Sequence, residues 1–98
     1  QKGIINRFWT EGKDANYFPS DNIFHIHKDK DKHFWIGTGG NGLVQISLNG
    51  LELKIINHFT IADGLSNNTI YGVYEDKHGW LWMPSDYGII QFNKETTF

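Results

Sequence analysis

The sequence predicts an all-β fold built from two copies of one four-stranded antiparallel unit. Three observations point to it. The chain repeats itself internally, its apolar segments are short and rich in β-branched and aromatic residues, and polar turn signals separate them. No segment of eleven or more residues keeps apolar residues at i, i+3, i+4 and i+7, so no helix is expected.

The repeat is read directly. Ile23-Phe24-His25-Ile26-His27-Lys28-Asp29 aligns with Ile70-Tyr71-Gly72-Val73-Tyr74-Glu75-Asp76 at an offset of 47, which also carries Trp35 onto Trp82 and Thr38 onto Ser85. Gly42-Leu43-Val44-Gln45-Ile46 falls on Gly88-Ile89-Ile90-Gln91-Phe92 at an offset of 46. Ile4-Ile5-Asn6-Arg7-Phe8 falls on Ile55-Ile56-Asn57-His58-Phe59 at 51. Three blocks in the same order are a repeat, and the drift between offsets is variation in loop length. A unit of 46 to 51 residues fits a four-stranded propeller blade.

Strands are expected at 4–9, then 23–28, 34–38, 43–48 and 54–60, then 70–75, 80–84 and 88–93. Asp29–Lys32 and Asp76–Gly79 are polar turns, Gly37–Gly42 is a Gly-rich one, and Asn49-Gly50 and Asp63-Gly64 are turn dipeptides. The chain thus divides into a first blade at 22–60 and three strands of a second at 69–93. Residues 1–10 supply an outer strand that completes the last blade of a ring. Pro84 has no N–H, so its strand must end there or use a position where no donor is needed. Two blades leave apolar faces uncovered, and repeat folds need about three or more copies. The 98 residues therefore read as a propeller fragment, which alone would form a homo-oligomer or otherwise require the remaining blades of a parent chain.

Composition removes several functions. The chain has no Cys, so it has no disulfide scaffold, thiolate metal site or cysteine nucleophile. Aromatic residues make up 15% of it and the net charge is −2, which argues against disorder. Its nine Lys and Arg are scattered, so no nucleic-acid surface is expected. No apolar run approaches the roughly 20 residues of a membrane helix, and no membrane contact is expected of this segment. No signal-peptide pattern is present.

Candidate chemical motifs reduce to turns and packing. Gly37-Thr38-Gly39-Gly40-Asn41-Gly42 matches G-x-G-x-x-G, but a strand-like Leu43-Val44-Gln45-Ile46 follows where a nucleotide site needs a helix. His25 and His27 share a strand face near His33, yet Gly72 and Tyr74 stand at the equivalent positions, so no metal is expected. Asp29-Lys30-Asp31-Lys32-His33 lacks the Gly and Glu of a calcium loop. Nothing places a Ser beside a His and a carboxylate, so no catalytic residue and no cofactor is expected. Trp80, with Phe34 as its analogue, is expected to pack.

The motifs themselves resemble a known family. Asp63-Gly64-Leu65-Ser66-Asn67-Asn68-Thr69-Ile70, the Asp76–Gly79 turn, Leu81-Trp82-Met83, and Phe34-Trp35-Ile36-Gly37-Thr38 followed by Gly42-Leu43 resemble the two-component regulator propeller repeat. Trp35, Gly37, Gly42, Trp82 and Gly88 are its structural signature here. The resemblance implies the periplasmic sensor region of a Bacteroidetes-type hybrid two-component histidine kinase, anchored in the inner membrane and responding to an oligosaccharide. A protein-interaction propeller and a streptogramin-lyase-like propeller enzyme are the alternatives. In propellers the D–A and B–C loops share one rim. Here that rim presents Asn16, Tyr17, Asn41, Asn67, Asn68, Asp86 and Tyr87, the amides, carboxylate and rings that would bind a sugar.

Overall fold

The structure is a computed structural model and describes residues 18–50 and 52–96. Strands β1 (Ile23–Lys28), β2 (Phe34–Thr38), β3 (Leu43–Asn49) and β4 (Glu52–Phe59) form one antiparallel sheet in that order. Strands β5 (Tyr74–Glu75), β6 (Trp80–Ser85) and β7 (Gly88–Asn93) form a second, also in chain order. These are the A-B-C-D meander of one blade and the A-B-C of the next. The expected outer strand at 4–9, and with it the 1–10 boundary, lies outside the described residues.

The two A–B turns show that the repeat is structural. Asp29 Oδ1 accepts from the N–H groups of Asp31 and His33, and Asp76 Oδ1 from those of His78 and Trp80. Each carboxylate then reaches an indole with its other oxygen. Trp35 Nε1 donates to Asp29 Oδ2 and Trp82 Nε1 to Asp76 Oδ2, both at 2.8 Å. Lys32 and Gly79 occupy equivalent left-handed positions, φ 67° and 89°. Asp29 N–H donates to His33 O as Asp76 N–H does to Trp80 O. The repeat partner of Trp80 is therefore His33, not Phe34.

The B–C turns explain the change of offset. Thr38 Oγ1 donates to Gly42 O and accepts from Asn41 N–H; Ser85 Oγ donates to Gly88 O and accepts from Tyr87 N–H. The second turn makes the same hydroxyl latch with one residue fewer. Gly37–Gly42 thus joins strand to strand and opens no helix.

Two expectations need correction. The strand expected at 70–75 forms only at Tyr74–Glu75, with an isolated bridge from Ile70 to Ser85. Pro84 O accepts from Tyr71 N–H, so the edge of Pro84 that lacks a donor also faces this strand. Pairing lapses across 71–73 while β6 runs through Pro84 to Ser85. Second, one short helical turn exists, a 3-10 turn at Ile61–Asp63. Thr60 caps it: its hydroxyl accepts from Ala62 N–H, and Asp63 returns a carboxylate to Thr60 N–H. Gly64 closes it at φ 106°.

The core lies between the sheets. Alternation along β2 sends Trp35 to one face and Phe34 and Ile36 to the other. Trp35, Leu43 and Phe59 of the first blade meet Ile70, Val73, Leu81, Met83 and Phe92 of the second, with Leu65 inserted from the connecting turn. Phe92 takes both Trp35 and Phe59 edge-on, at 6.0 and 5.0 Å between ring centroids. The opposite face of the first sheet gathers Phe18, Ile36, Val44, Ile46 and Leu53.

Candidate functional site

Hydrogen bonds define one rim. Gly39 N–H donates to Asn22 O, Gly40 and Gly42 N–H both donate to Asn68 O, and Ile70 N–H donates to Thr38 O. Tyr71 N–H reaches Pro84 O, which brings the 84–88 turn alongside. The start of β1, both B–C turns and the 60–69 connection therefore lie together at the end of the blades where β2 and β6 finish.

The expected ligand-binding residues fall on this rim in different roles. Asn67 Oδ1 accepts from Thr69 N–H, and Asn68 Oδ1 from Ile61 N–H, so both side-chain carbonyls shape the turn. Asn41 is exposed and its carbonyl meets His58 Nε2 at 2.6 Å. Asp86 Oδ1 accepts from the Tyr71 hydroxyl at 2.6 Å. That bond, reinforced by the carboxylate's charge, holds the Tyr71 phenol above its ordinary 10.0, so at neutral pH Tyr71 is a donor. Tyr87 is 80% exposed. Asn16 and Tyr17 lie outside the described residues.

Two residues missing from that expectation lie beside these turns. Phe24 on β1 and Tyr71, three residues before β5, are repeat equivalents, and their rings stack at 5.4 Å with 5° between planes. They are 44% and 48% exposed. An exposed aromatic at the same place in both units was the available signal; strand alternation alone assigned it no role.

The opposite end of the blades is ionic. Glu75 accepts from His27 Nε2 at 2.9 Å and from Lys94 Nζ at 2.7 Å, and Lys94 also lies 3.7 Å from Asp29. The Lys94 hydrogen bond, with help from His27, holds Glu75 below its ordinary value against the effect of burial. Burial pushes Asp29 up, but hydrogen bonds from Trp35, His33 and Asp31 outweigh it and leave the carboxyl low. His25 instead meets the ring of Tyr74 edge-on at 4.9 Å. The two histidines of the His-x-His pair thus serve different partners, and no group of three or more metal-ligating side chains is present among the described residues.

Of the signature residues, Gly37 and Trp35 are closely packed, whereas Trp82 is 40% exposed and a Cβ at Gly88 would meet nothing within 4 Å. Gly37 faces Ile70 so closely that a Cβ would fall 2.7 Å from the Ile70 carbonyl oxygen. Trp35 is fully buried between the blades. Residues 17–40 and 64–83 match the family model of the two component regulator propeller. These two stretches are similar to that repeat. They coincide with the A and B strands of the two blades. The fold is similar to the extracellular domain of a protein from B. thetaiotaomicron described as a hybrid two component system. That likeness has a TM-score of 0.61 at 19% identity and covers 97% of this chain and 14% of the other. No curated protein matches the sequence. The repeats therefore span a small part of that structure, and no described helix is long and apolar enough to cross a membrane.

Proposed function

We propose that this chain is part of the extracytoplasmic ligand-sensing propeller of a hybrid two-component sensor histidine kinase. In this reading it is periplasmic and catalyses nothing itself. Its open blade faces are covered by the other blades of the parent protein. The ligand is an oligosaccharide, bound at the rim that gathers the B–C turns and the 60–69 connection.

The observation that carries the reading is the coincidence of the two family matches with the two blades. The rim's chemistry fits the ligand class. Exposed rings offer apolar faces to sugar C–H groups, and a carboxylate with amide neighbours offers hydrogen-bonding groups to hydroxyls.

Calorimetric titration of the whole extracytoplasmic region against a broad oligosaccharide panel tests it. Saturable binding of at least one glycan is expected. Silence across the panel, with a defined protein recovered by pull-down, would favour a protein-interaction propeller. Metal-dependent turnover of a substrate by the intact protein would favour a lyase-like enzyme.

A further inference from the structure

Among the described residues the second sheet stops one strand short of the first. β4 covers the outer edge of β3, whereas β7, the counterpart of β3, is paired there with β6 alone. The outer edge of β7 therefore offers backbone N–H and C=O groups to a further strand.

Side chains show what that strand must bring. In the first blade Gln45 is buried, and its amide is engaged at both ends. Gln45 Nε2 lies 3.0 Å from His33 Nδ1, and Asn57 Nδ2 on β4 donates to Gln45 Oε1 at 2.8 Å. The repeat carries Gln45 onto Gln91, which is exposed. Leu43 is fully buried, whereas its counterpart Ile89 is 71% exposed. A strand that covers β7 as β4 covers β3 thus carries an Asn opposite Gln91 and an apolar residue opposite Ile89.

One segment of the chain has both. The offset of 51 that aligns residues 4–8 with 55–59 carries Asn57 onto Asn6 and Phe59 onto Phe8. Leu43 pairs with Phe59, Gln45 with Asn57 and, after a bulge, Ile46 with Ile55. The same register on β7 sets Phe8 opposite Ile89, Asn6 opposite Gln91 and Ile4 opposite Phe92.

We propose that residues 4–8 of a second copy of this chain add to the outer edge of β7 as its fourth strand, antiparallel and in this register, with Asn6 donating to Gln91. Chain order points to a second copy. β4 leads through the 60–69 connection into the next blade. Residues 4–8 lead in the same way into β1, so by the repeat they belong to a blade before the first one, not to the second. Main-chain hydrogen bonds supply the affinity. The amide pair and the Phe8–Ile89 contact fix the register, because a slip of one residue turns Asn6 to the opposite face. The contact is independent of any ligand at the rim.

The chain has no Cys, so introduced cysteines report the contact cleanly. Asn6→Cys chains are mixed with Gln91→Cys chains and oxidised, beside a mixture of Asn6→Cys with Ile90→Cys, with circular dichroism as the check on folding. Opposed residues of antiparallel strands lie within reach of a disulfide, whereas neighbours along a strand face opposite ways. A 6–91 disulfide between chains is expected to dominate the first mixture, and the 6–90 link should be lost from the second. Equal yields in the two mixtures would overturn the proposal. So would a chain carrying both cysteines that closes the 6–91 link within one molecule. The unsubstituted chain gives a second reading by hydrogen exchange. Protection of residues 4–8 and of the outer edge of β7 should rise together as the chain passes from monomer to larger species. Protection that stays constant across that range, or a chain that remains monomeric, would overturn the proposal whether or not the cysteine variants fold.

Discussion

Asp29 and Asp76 each hold a tryptophan indole at the same distance, but in different surroundings. Asp29 and Trp35 are buried; Trp82 is 40% exposed. Removing Asp29 leaves an indole N–H in the core without its acceptor, which costs about 1–3 kcal/mol. Asp29→Ala should therefore lower the urea midpoint clearly. Asp76→Ala should lower it less, because water can reach the freed Trp82. Equal losses would contradict this assignment of burial. The same carboxylates set the pH dependence. The Trp82 hydrogen bond holds Asp76 below its ordinary 3.8, and Asp29 and Glu75 are also low. A carboxyl lowered in the folded state binds fewer protons there than in the unfolded chain. Its contribution is present above the ordinary carboxyl value and lost as pH falls through the lowered one. Burial pulls Lys94 down, but its bond to Glu75 and the neighbouring carboxylates more than offset this and raise it above 10.5. Its contribution is complete below that value and lost as pH rises past the raised one. Urea midpoints should be level from about pH 5 to 10 and fall on both sides. In Glu75→Gln the acid-side fall should be shallower.

Among the elements, the glycine turns separate conformation from space. Gly40 and Gly42 both have positive φ, 102° and 81°, but a Cβ at Gly40 meets nothing, whereas at Gly42 it would strike the Phe59 carbonyl. Gly42→Ala should destabilise more than Gly40→Ala in thermal melts, and equal shifts would mean that conformation alone matters there. The strands from 23 to 49 and from 80 to 93 were legible because period-2 alternation and turn residues agree in them. The 70–75 segment was not, because its pairing depends on the donor missing at Pro84 in a neighbouring strand. The D-G-L-S run read as a family motif, but its physics emerged only in three dimensions. Asp63 caps a turn, Gly64 closes it and Leu65 fills the core. For the same reason Asn67 and Asn68 looked like ligand groups while their carbonyls shape the loop. Phe24 and Tyr71 escaped notice because nothing in either strand alone says that their rings meet.

Across the described residues there is one closed interface and two open faces, built from the same repeat positions. The internal interface seats Trp35 and Leu43 against Leu81 and Met83. Their counterparts on the outer faces remain uncovered. Trp82 and Ile89 are 40% and 71% exposed on one side, and a groove of about 500 Å³ lined by Ile26, Phe34 and Ile36 opens on the other. The isolated 98-residue chain should therefore self-associate head to tail. Sedimentation should show species larger than a monomer, and Trp82→Arg should reduce them; a monodisperse monomer would contradict the packing argument. In the proposed parent protein the same faces would receive neighbouring blades, placing the rim at one mouth of a ring. The sensing role is tested most directly by phosphorylation of the whole protein in membrane vesicles, with and without a saturating oligosaccharide that binds its extracytoplasmic region. Occupancy should change the phosphorylated fraction. An unchanged fraction at full occupancy would contradict it.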